Sequence, residues 1–251
     1  MKYTYLLIDL FSVLFPFLFS FHSRLKFYRN WAALFPAMLI SGLLFIAWDM
    51  YFTHLKVWGF NAAYLSGFYI GNLPVEEILF FLCIPYACVF TYTSLPQKGF
   101  NHSAFQWVSG SLIVVSVFLA IIFYHQRYTA YTFALMAVLV AVSRFILKVR
   151  WLSRFYQTYL ILLLPFTLVN GLLTGTVLAA PVVWYSPAEI LDIRILTIPV
   201  EDVFYGMNLI LLNLLMYNWL RGFFYRLRKD RRKAEVSCGV QFTDQPTNSY
   251  P

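Results

Sequence analysis

Charged residues are scarce in this sequence: they make up 12% of the chain, whereas 61% of the residues are hydrophobic. Soluble domains average about 25% charged residues, so this chain has too little polar surface to cover itself in water. The composition therefore excludes a soluble globular fold and predicts an integral membrane protein. The connectors between apolar runs are short, which leaves no separate soluble catalytic domain. Any site must lie between helices.

Cysteines and histidines are also few. The three cysteines, Cys83, Cys88 and Cys238, provide no disulfide framework. The four histidines stand apart near span ends, whereas a di-iron site needs them clustered. No Gly-x-Gly-x-x-Gly motif for a dinucleotide is present, nor an aspartate-rich motif for a magnesium diphosphate, and the last apolar run has no lysine for a retinal Schiff base. The sequence predicts no cofactor and no metal.

Apolar runs are what the chain has instead. Crossing a bilayer takes about 20 residues, and seven runs reach that length: 3–21, 31–52, 74–95, 104–124, 129–147, 158–180 and 198–220. We therefore predict an all-α membrane protein with seven transmembrane helices.

The formal charge of +8 does not indicate a nucleic-acid partner, because the basic residues alternate with the spans. Most Lys and Arg residues follow the first, third, fifth and seventh spans, and the longest basic run is 226–233. By the positive-inside rule this pattern predicts a multi-pass protein of the cell membrane with its N-terminus outside and its C-terminus cytoplasmic. The basic segment 226–251 is predicted to be a disordered cytoplasmic tail near anionic lipid.

The chain repeats itself. Leu39–Leu44 resembles Leu168–Leu173, and Pro74-Val75-Glu76-Glu77 resembles Pro199-Val200-Glu201-Asp202. Spans one to three thus correspond to spans five to seven, and span four restores the orientation between them. We predict two parallel three-helix repeats, 1–96 and 129–225, joined by a connecting helix within 97–128. A site shared by the repeats is expected at their interface.

Acidic residues are rare, yet six of the eleven lie in or at the ends of predicted spans: Asp9, Asp49, Glu76, Glu77, Glu201 and Asp202. Carboxylates within a membrane are costly and usually mark function or pair with one another. Acidic residues also suit the first turn of a helix for electrostatic reasons alone, but two copies at repeat-related positions favour chemistry. A buried carboxylic acid can donate a proton and a second carboxylate can accept one. Aromatic residues make up 20% of the chain, and the faces of their rings can stabilise a cation between those two steps.

These motifs together resemble the membrane-embedded lycopene cyclases, found as two small subunits in some bacteria and fused in archaea and fungi. The resemblance covers about residues 40–220. It rests on Trp48-Asp49, Trp58-Gly59-Phe60-Asn61, Gly67 and Leu73–Phe81 in the first half, and on Asn170-Gly171, Val183-Trp184-Tyr185, Arg194 and Ile198–Tyr205 in the second.

The resemblance implies a lycopene β-cyclase, an isomerase acting as an intramolecular lyase in carotenoid biosynthesis. One carboxylic acid protonates the terminal double bond, an internal double bond attacks the cation to close a ring, and a base removes a ring proton. Glu76 and Glu201 are identical between the motifs and are predicted as acid and base, with Glu77 and Asp202 in support and Asp49 as a relay. The residues predicted to contact substrate are Trp58, Phe60, Phe80, Trp184, Tyr185, Arg194 and Tyr205.

A proton-coupled transporter of a small or apolar solute is the alternative, because carriers also use intramembrane acids and repeats. A non-catalytic subunit of a pigment complex is a third hypothesis, which would make the acidic motifs dispensable. The partners predicted here are a carotenoid and the bilayer. The sequence leaves open the substrate length, the number of ends cyclised, the ring double bond, which Glu is the acid, and whether a homo-oligomer forms.

Overall fold

Helices dominate the computed structural model, which describes residues 2–96 and 102–237. Seven α-helices lie within these ranges: α1 (Thr4–Phe19), α2 (Trp31–His54), α3 (Val75–Ser94), α4 (His102–Ile122), α5 (Arg127–Ala141), α6 (Leu152–Leu173) and α7 (Val200–Ser237). A π-helical turn, Val142–Ile146, extends α5. The predicted helical class is confirmed to the extent that the described residues are mostly helical, with short strands between the helices.

Five helical segments of the described ranges are long and apolar enough to cross a membrane: Phe27–His54, Val75–Ser94, Arg127–Ile146, Leu152–Leu173 and Val200–Asp230. The apolar helices Thr4–Phe19 and Gln106–Ile122 are shorter. At 1.5 Å per residue, the 16 residues of α1 extend about 24 Å, less than the roughly 30 Å of a bilayer core. The protein is membrane-embedded, and crossing by seven helices remains a prediction.

Short strands connect the helices at one end of the molecule. β1 (Trp58–Phe60) pairs antiparallel with β4 (Val183–Tyr185), with Gly59 opposite Trp184. β2 (Tyr69–Ile70) forms a hairpin with β3 (Leu73–Pro74), and β5 (Arg194–Ile195) forms one with β6 (Ile198–Pro199). The segment 53–73 thus contains β1, β2 and the first residue of β3. Trp58 and Tyr64 are buried there, while Phe68 and Tyr69 are exposed.

Contacts beside β1 and β4 repeat with the two halves exchanged, because residues 57 and 61 correspond to residues 182 and 186, which lie 125 positions later. The N–H of Asn61 donates to the Val182 carbonyl oxygen at 2.8 Å, and the N–H of Ser186 donates to that of Val57, also at 2.8 Å. Each hairpin then leads directly into a helix whose first turn carries two acids, Glu76 and Glu77 in α3 or Glu201 and Asp202 in α7. These acids complement the partial positive charge of a helix N-terminus.

The predicted bounds of the sixth span and of the tail are wrong. The sixth span was expected at 158–180, but α6 ends at Leu173 because Gly175, with a positive φ of 95°, turns the chain away. The tail was expected to be disordered from 226, but α7 continues to Ser237, in keeping with the good helix propensity of its Arg, Lys, Ala and Glu residues. The rest of the predicted tail, 238–251, lies outside the described residues, as does 97–101 of the predicted connector.

The two related groups of helices pack differently. α2 packs closely against α7 and α3, whereas α6, its counterpart in the second half, touches α3, α7 and α1 only sparingly. The buried hydrophobic core continues between α2, α3, α5, α6 and α7. Because α6 packs more loosely, a cavity remains between it and the neighbouring helices.

Candidate active site

A cavity of about 510 Å³ lies between α1, α3, α6 and α7, beneath the strands β1 and β4. Its size falls in the ordinary range for ligand pockets, roughly 300–1,000 Å³. Three carboxyl groups line it, those of Asp49, Glu77 and Asp202. Within the described ranges no lysine or arginine lines this cavity, so its electrostatics depend on carboxyl groups and their hydrogen-bond donors.

Glu77 is held from two directions. The hydroxyl of Tyr5 on α1 donates a hydrogen bond to its Oε2 at 2.6 Å, and the carboxyl of Asp49 on α2 lies within hydrogen-bonding reach of it. Trp58 lies close to Asp49. A hydrogen bond between two carboxyl groups requires a proton on one of them, so the pair formed by Asp49 and Glu77 is arranged to hold a proton.

Asp202 has a different set of partners. The hydroxyl of Tyr128 on α5 donates to its Oδ1 at 2.6 Å, and the hydroxyl of Tyr185 on β4 donates to its Oδ2 at 2.9 Å. Two donors stabilise the ionised form of a carboxyl group. The pKa of Tyr185 is raised well above its ordinary value by burial and by the neighbouring Asp202, so this phenol keeps its proton.

Glu76 and Glu201 do not line the cavity. Glu76 Oε1 accepts the backbone N–H of Ser66 at 2.6 Å. Glu201 Oε1 accepts the N–H of Leu191 at 2.7 Å and the hydroxyl of Thr129 at 2.6 Å. Both side chains are fully buried, and the structure places them on the loop side of their helices. This difference within each pair follows from the turn of about 100° between adjacent helical residues.

The residues predicted to contact substrate divide into two groups. Five line the cavity around the carboxyl groups: Trp58, Phe60, Phe80, Tyr185 and Tyr205. Trp184 and Arg194 do not. The Trp184 ring instead packs over Gly59, and Arg194 forms an ion pair with Asp192 at 3.2 Å and donates to the Thr197 carbonyl oxygen at 3.0 Å.

An aromatic enclosure surrounds the acidic end. The ring centroids of Trp58 and Tyr128 lie 5.0 Å apart, those of Tyr128 and Tyr185 lie 5.8 Å apart, and Tyr205 lies 6.2 Å from Trp58. These rings line the same cavity as Glu77 and Asp202. Such faces attract a cation within about 6 Å.

Three residues of this region were not predicted as site residues. Tyr5 and Tyr128 are the donors to Glu77 and Asp202, and they precede them by 72 and 74 residues. A search for tyrosines at similar distances before the two acidic motifs could therefore have identified them from the sequence. Asp9 is the third: it is 0% exposed, neither oxygen has a hydrogen-bond partner, and it interacts electrostatically with Glu77 and Glu76.

No group of three His, Cys, Asp or Glu side chains is placed to hold a metal ion among residues 2–96 and 102–237. Glu77 and Asp202 instead accept hydrogen bonds from the phenols of Tyr5 and Tyr128. The arrangement is suited to moving protons within an apolar, aromatic enclosure.

Comparison with known proteins agrees with this chemistry. The family model described as lycopene cyclase matches residues 2–95 and 124–220. The two matched segments contain α1–α3 and α5–α7 with their acidic motifs, and they omit the whole of α4. A search of the curated proteins and a search of the solved structures found no match. The match spans most of the chain, and with this match the protein belongs to the lycopene cyclase family.

Proposed function

We propose that this protein closes the acyclic ends of lycopene to β-ionone-type rings by redox-neutral acid–base catalysis. Family membership supports a role in carotenoid cyclisation. The observation that carries the finer proposal is that Glu77 and Asp202 face the same apolar cavity with different hydrogen-bond partners. Separate environments for two carboxyl groups are what an acid and a base acting in sequence require.

Glu77 is the proton donor in this proposal. The proton shared with Asp49 is available to the terminal double bond of the substrate. Adding it to the less substituted carbon leaves a tertiary cation on the neighbouring carbon. The π electrons of an internal double bond then form the carbon–carbon bond that closes the six-membered ring, and the cation moves to a ring carbon.

Asp202 is the base. The hydroxyls of Tyr128 and Tyr185 favour its carboxylate form, and in that form it removes a proton from the ring carbon next to the cation. That loss forms the ring double bond and restores neutrality. One proton enters and one leaves, so the product is an isomer of the substrate and no electrons are exchanged. The rings of Trp58 and Tyr205 stabilise the intermediate cation.

Glu76 and Glu201 are proposed to position the outer loops instead of transferring protons. Each accepts a backbone N–H from a residue ten positions earlier, Ser66 or Leu191. These bonds tie the loops that carry β2 and β5 to the helices that carry Glu77 and Asp202. This assignment reverses the one expected from the sequence, in which Glu76 and Glu201 are the acid and base, and the two make opposite predictions for mutants.

We further propose seven membrane spans in two parallel three-helix repeats, with the N-terminus outside. The recurrence of equivalent contacts at a spacing of 125 residues supports the repeats. The basic residues after α1, α5 and α7 support the orientation. The acidic end of the cavity then lies in the outer half of the bilayer.

Expression in lycopene-accumulating cells, followed by chromatography of the pigments, tests the function. Wild-type protein should convert lycopene to cyclic products, whereas Glu77→Gln and Asp202→Asn should each lose about 10²–10⁴-fold in rate, the usual worth of general acid–base catalysis. Glu189→Gln is the matched control, because Glu189 binds the backbone N–H of Arg127 at 3.0 Å outside the cavity. Unchanged lycopene with well-expressed wild-type protein would contradict the proposal and favour a carrier.

A further inference from the structure

The cavity extends well beyond its acidic end. On α3 its lining residues are Glu77, Phe80, Ile84, Ala87, Cys88 and Thr91, a spacing of three and four that marks one face of the helix. Glu77 and Thr91 are fourteen residues apart, or about 21 Å along the helix axis. On α6 the lining residues run from Tyr159 to Leu173, which is the same distance. The cavity is therefore long and narrow.

Its polarity is confined to one end. Along the rest of its length the hydroxyl groups are turned to backbone carbonyl oxygens of the protein. Ser12 donates to Ile8 at 2.7 Å, Thr91 donates to Ala87 at 2.9 Å, and Tyr159 donates to Val203. These residues therefore present their apolar surface to a ligand, so the inner part of the cavity suits an extended hydrocarbon chain and offers little to a polar solute.

The cavity opens sideways. Of the residues that line it, the ones that are also exposed on the outside of the protein are Phe11 and Phe15 on α1 and Pro165 and Leu168 on α6. α1 and α6 touch only sparingly. Both helices are apolar on their outer faces, so the opening between them faces the acyl chains of the bilayer and not water.

We propose that the inner half of the cavity is a subsite for the polyene adjoining the reacting end, and that the substrate enters it from the bilayer between α1 and α6. This inference rests on the proposed function. The substrate end reaches Glu77 and Asp202, the next part of its chain lies along α3 and α6, and the remainder stays in lipid. A chain bound in this way presents one end at a time.

The test compares two leucines one turn apart on α6. Leu168 lines the cavity and is 65% exposed, whereas Leu164 is 74% exposed and does not line it. Leu168→Trp should obstruct the opening, and Leu164→Trp adds the same bulk to the lipid-facing surface. In vesicles with increasing lycopene content, Leu168→Trp should raise KM about tenfold with little change in kcat, as expected when binding alone is impaired. Leu164→Trp should match the wild type.

A second measurement separates entry from chemistry. In the Glu77→Gln background, quenching of tryptophan fluorescence by added lycopene reports association without turnover. Leu168→Trp should slow association about tenfold relative to Leu164→Trp. Equal association rates for the two variants would overturn the lateral entrance. If association is slowed but wild-type protein forms no cyclic product, the proposed function fails while the entrance stands.

Discussion

Glu77 and Asp202 accept tyrosine hydroxyls at the same distance, 2.6 Å, from Tyr5 and Tyr128 on equivalent helices of the two halves. Their remaining partners differ, because Glu77 meets the Asp49 carboxyl and Asp202 meets the Tyr185 phenol. In the proposed mechanism, the Asp49 partner equips Glu77 to act as the acid, and the second phenol equips Asp202 to act as the base.

Glu76→Gln and Glu201→Gln should retain cyclisation within about tenfold of wild type. The glutamine carbonyl can still accept the backbone N–H of Ser66 or Leu191, at the cost of a charge-assisted bond worth about 1.5–3 kcal/mol. Product formation at equal expression is the measurement. Near-complete loss in these variants, with Glu77→Gln and Asp202→Asn active, would support the assignment expected from the sequence.

Tyr5→Phe and Tyr128→Phe should each slow cyclisation about 10- to 100-fold while the protein remains folded, because each removes a hydrogen bond to a carboxyl group worth roughly 1.5–3 kcal/mol. Initial rates in vesicles provide the readout. Tyr131→Phe is the control, since Tyr131 lies on the same helix as Tyr128 but is 53% exposed and outside the cavity. Full activity of both Tyr5→Phe and Tyr128→Phe would show that the phenols do not act on the carboxyl groups.

Asp9→Leu should stabilise the protein by about 1–3 kcal/mol. Both Asp9 oxygens are buried without a partner, and replacing an unsatisfied polar group with an apolar one of similar shape removes its desolvation cost. Thermal unfolding in detergent measures the change. Asp49→Leu should do the opposite, because Asp49 interacts with the carboxyl group of Glu77 and lies close to Trp58. A loss of stability in Asp9→Leu would mean that the carboxyl has a partner in the membrane.

Gly59→Ala should destabilise the protein by about 1–3 kcal/mol through overpacking. A Cβ at this position would lie 2.4 Å from the Trp184 ring, which must move. Gly222→Ala in α7 is the matched control, because its added methyl group meets nothing within 4 Å and alanine is the better helix former. Unfolding temperatures that fall equally in both variants would argue against the close packing of Trp184 on β1.

Cysteines introduced at Lys56 or Asp192 should react with an impermeant thiol reagent added outside intact cells, and a cysteine at Arg150 should not. All three positions are exposed, and the expected order follows from the distribution of basic residues. The measurement uses a chain in which Cys238 is replaced by Ser. Labelling at Arg150 alone would invert the proposed orientation and move the acidic end of the cavity to the cytoplasmic half.

The helices were largely predictable because burial in lipid requires apolar runs of defined length, and α2, α3 and α7 begin within two residues of the expected positions. The end of α6 was not, because a leucine- and valine-rich run continues past the glycine that turns the chain. The cavity also had no signal in the sequence. It results from the looser packing of α6 compared with α2, although both helices carry the related motif with Gly42 or Gly171.

The site was predictable as a set of acidic residues but not as a geometry. Both motifs were identified, yet which acid of each pair faces the cavity depends on the rotation of the helix against its neighbours. Tyr5 and Tyr128 are two of eighteen tyrosines, and nothing local distinguishes them. Five of the seven residues predicted to contact substrate line the cavity. Arg194 does not, because Asp192 and the Thr197 carbonyl oxygen satisfy it nearby.

The pairing of β1 with β4 has a consequence for how such chains diverge. The bonds that flank it, Asn61 to Val182 and Ser186 to Val57, join backbone atoms. Side chains at these positions can therefore be exchanged without losing the donors and acceptors that hold the two halves together. The register between the two halves is therefore set by the main chain. Gly59 is the exception within the pairing, because a side chain there would meet the Trp184 ring.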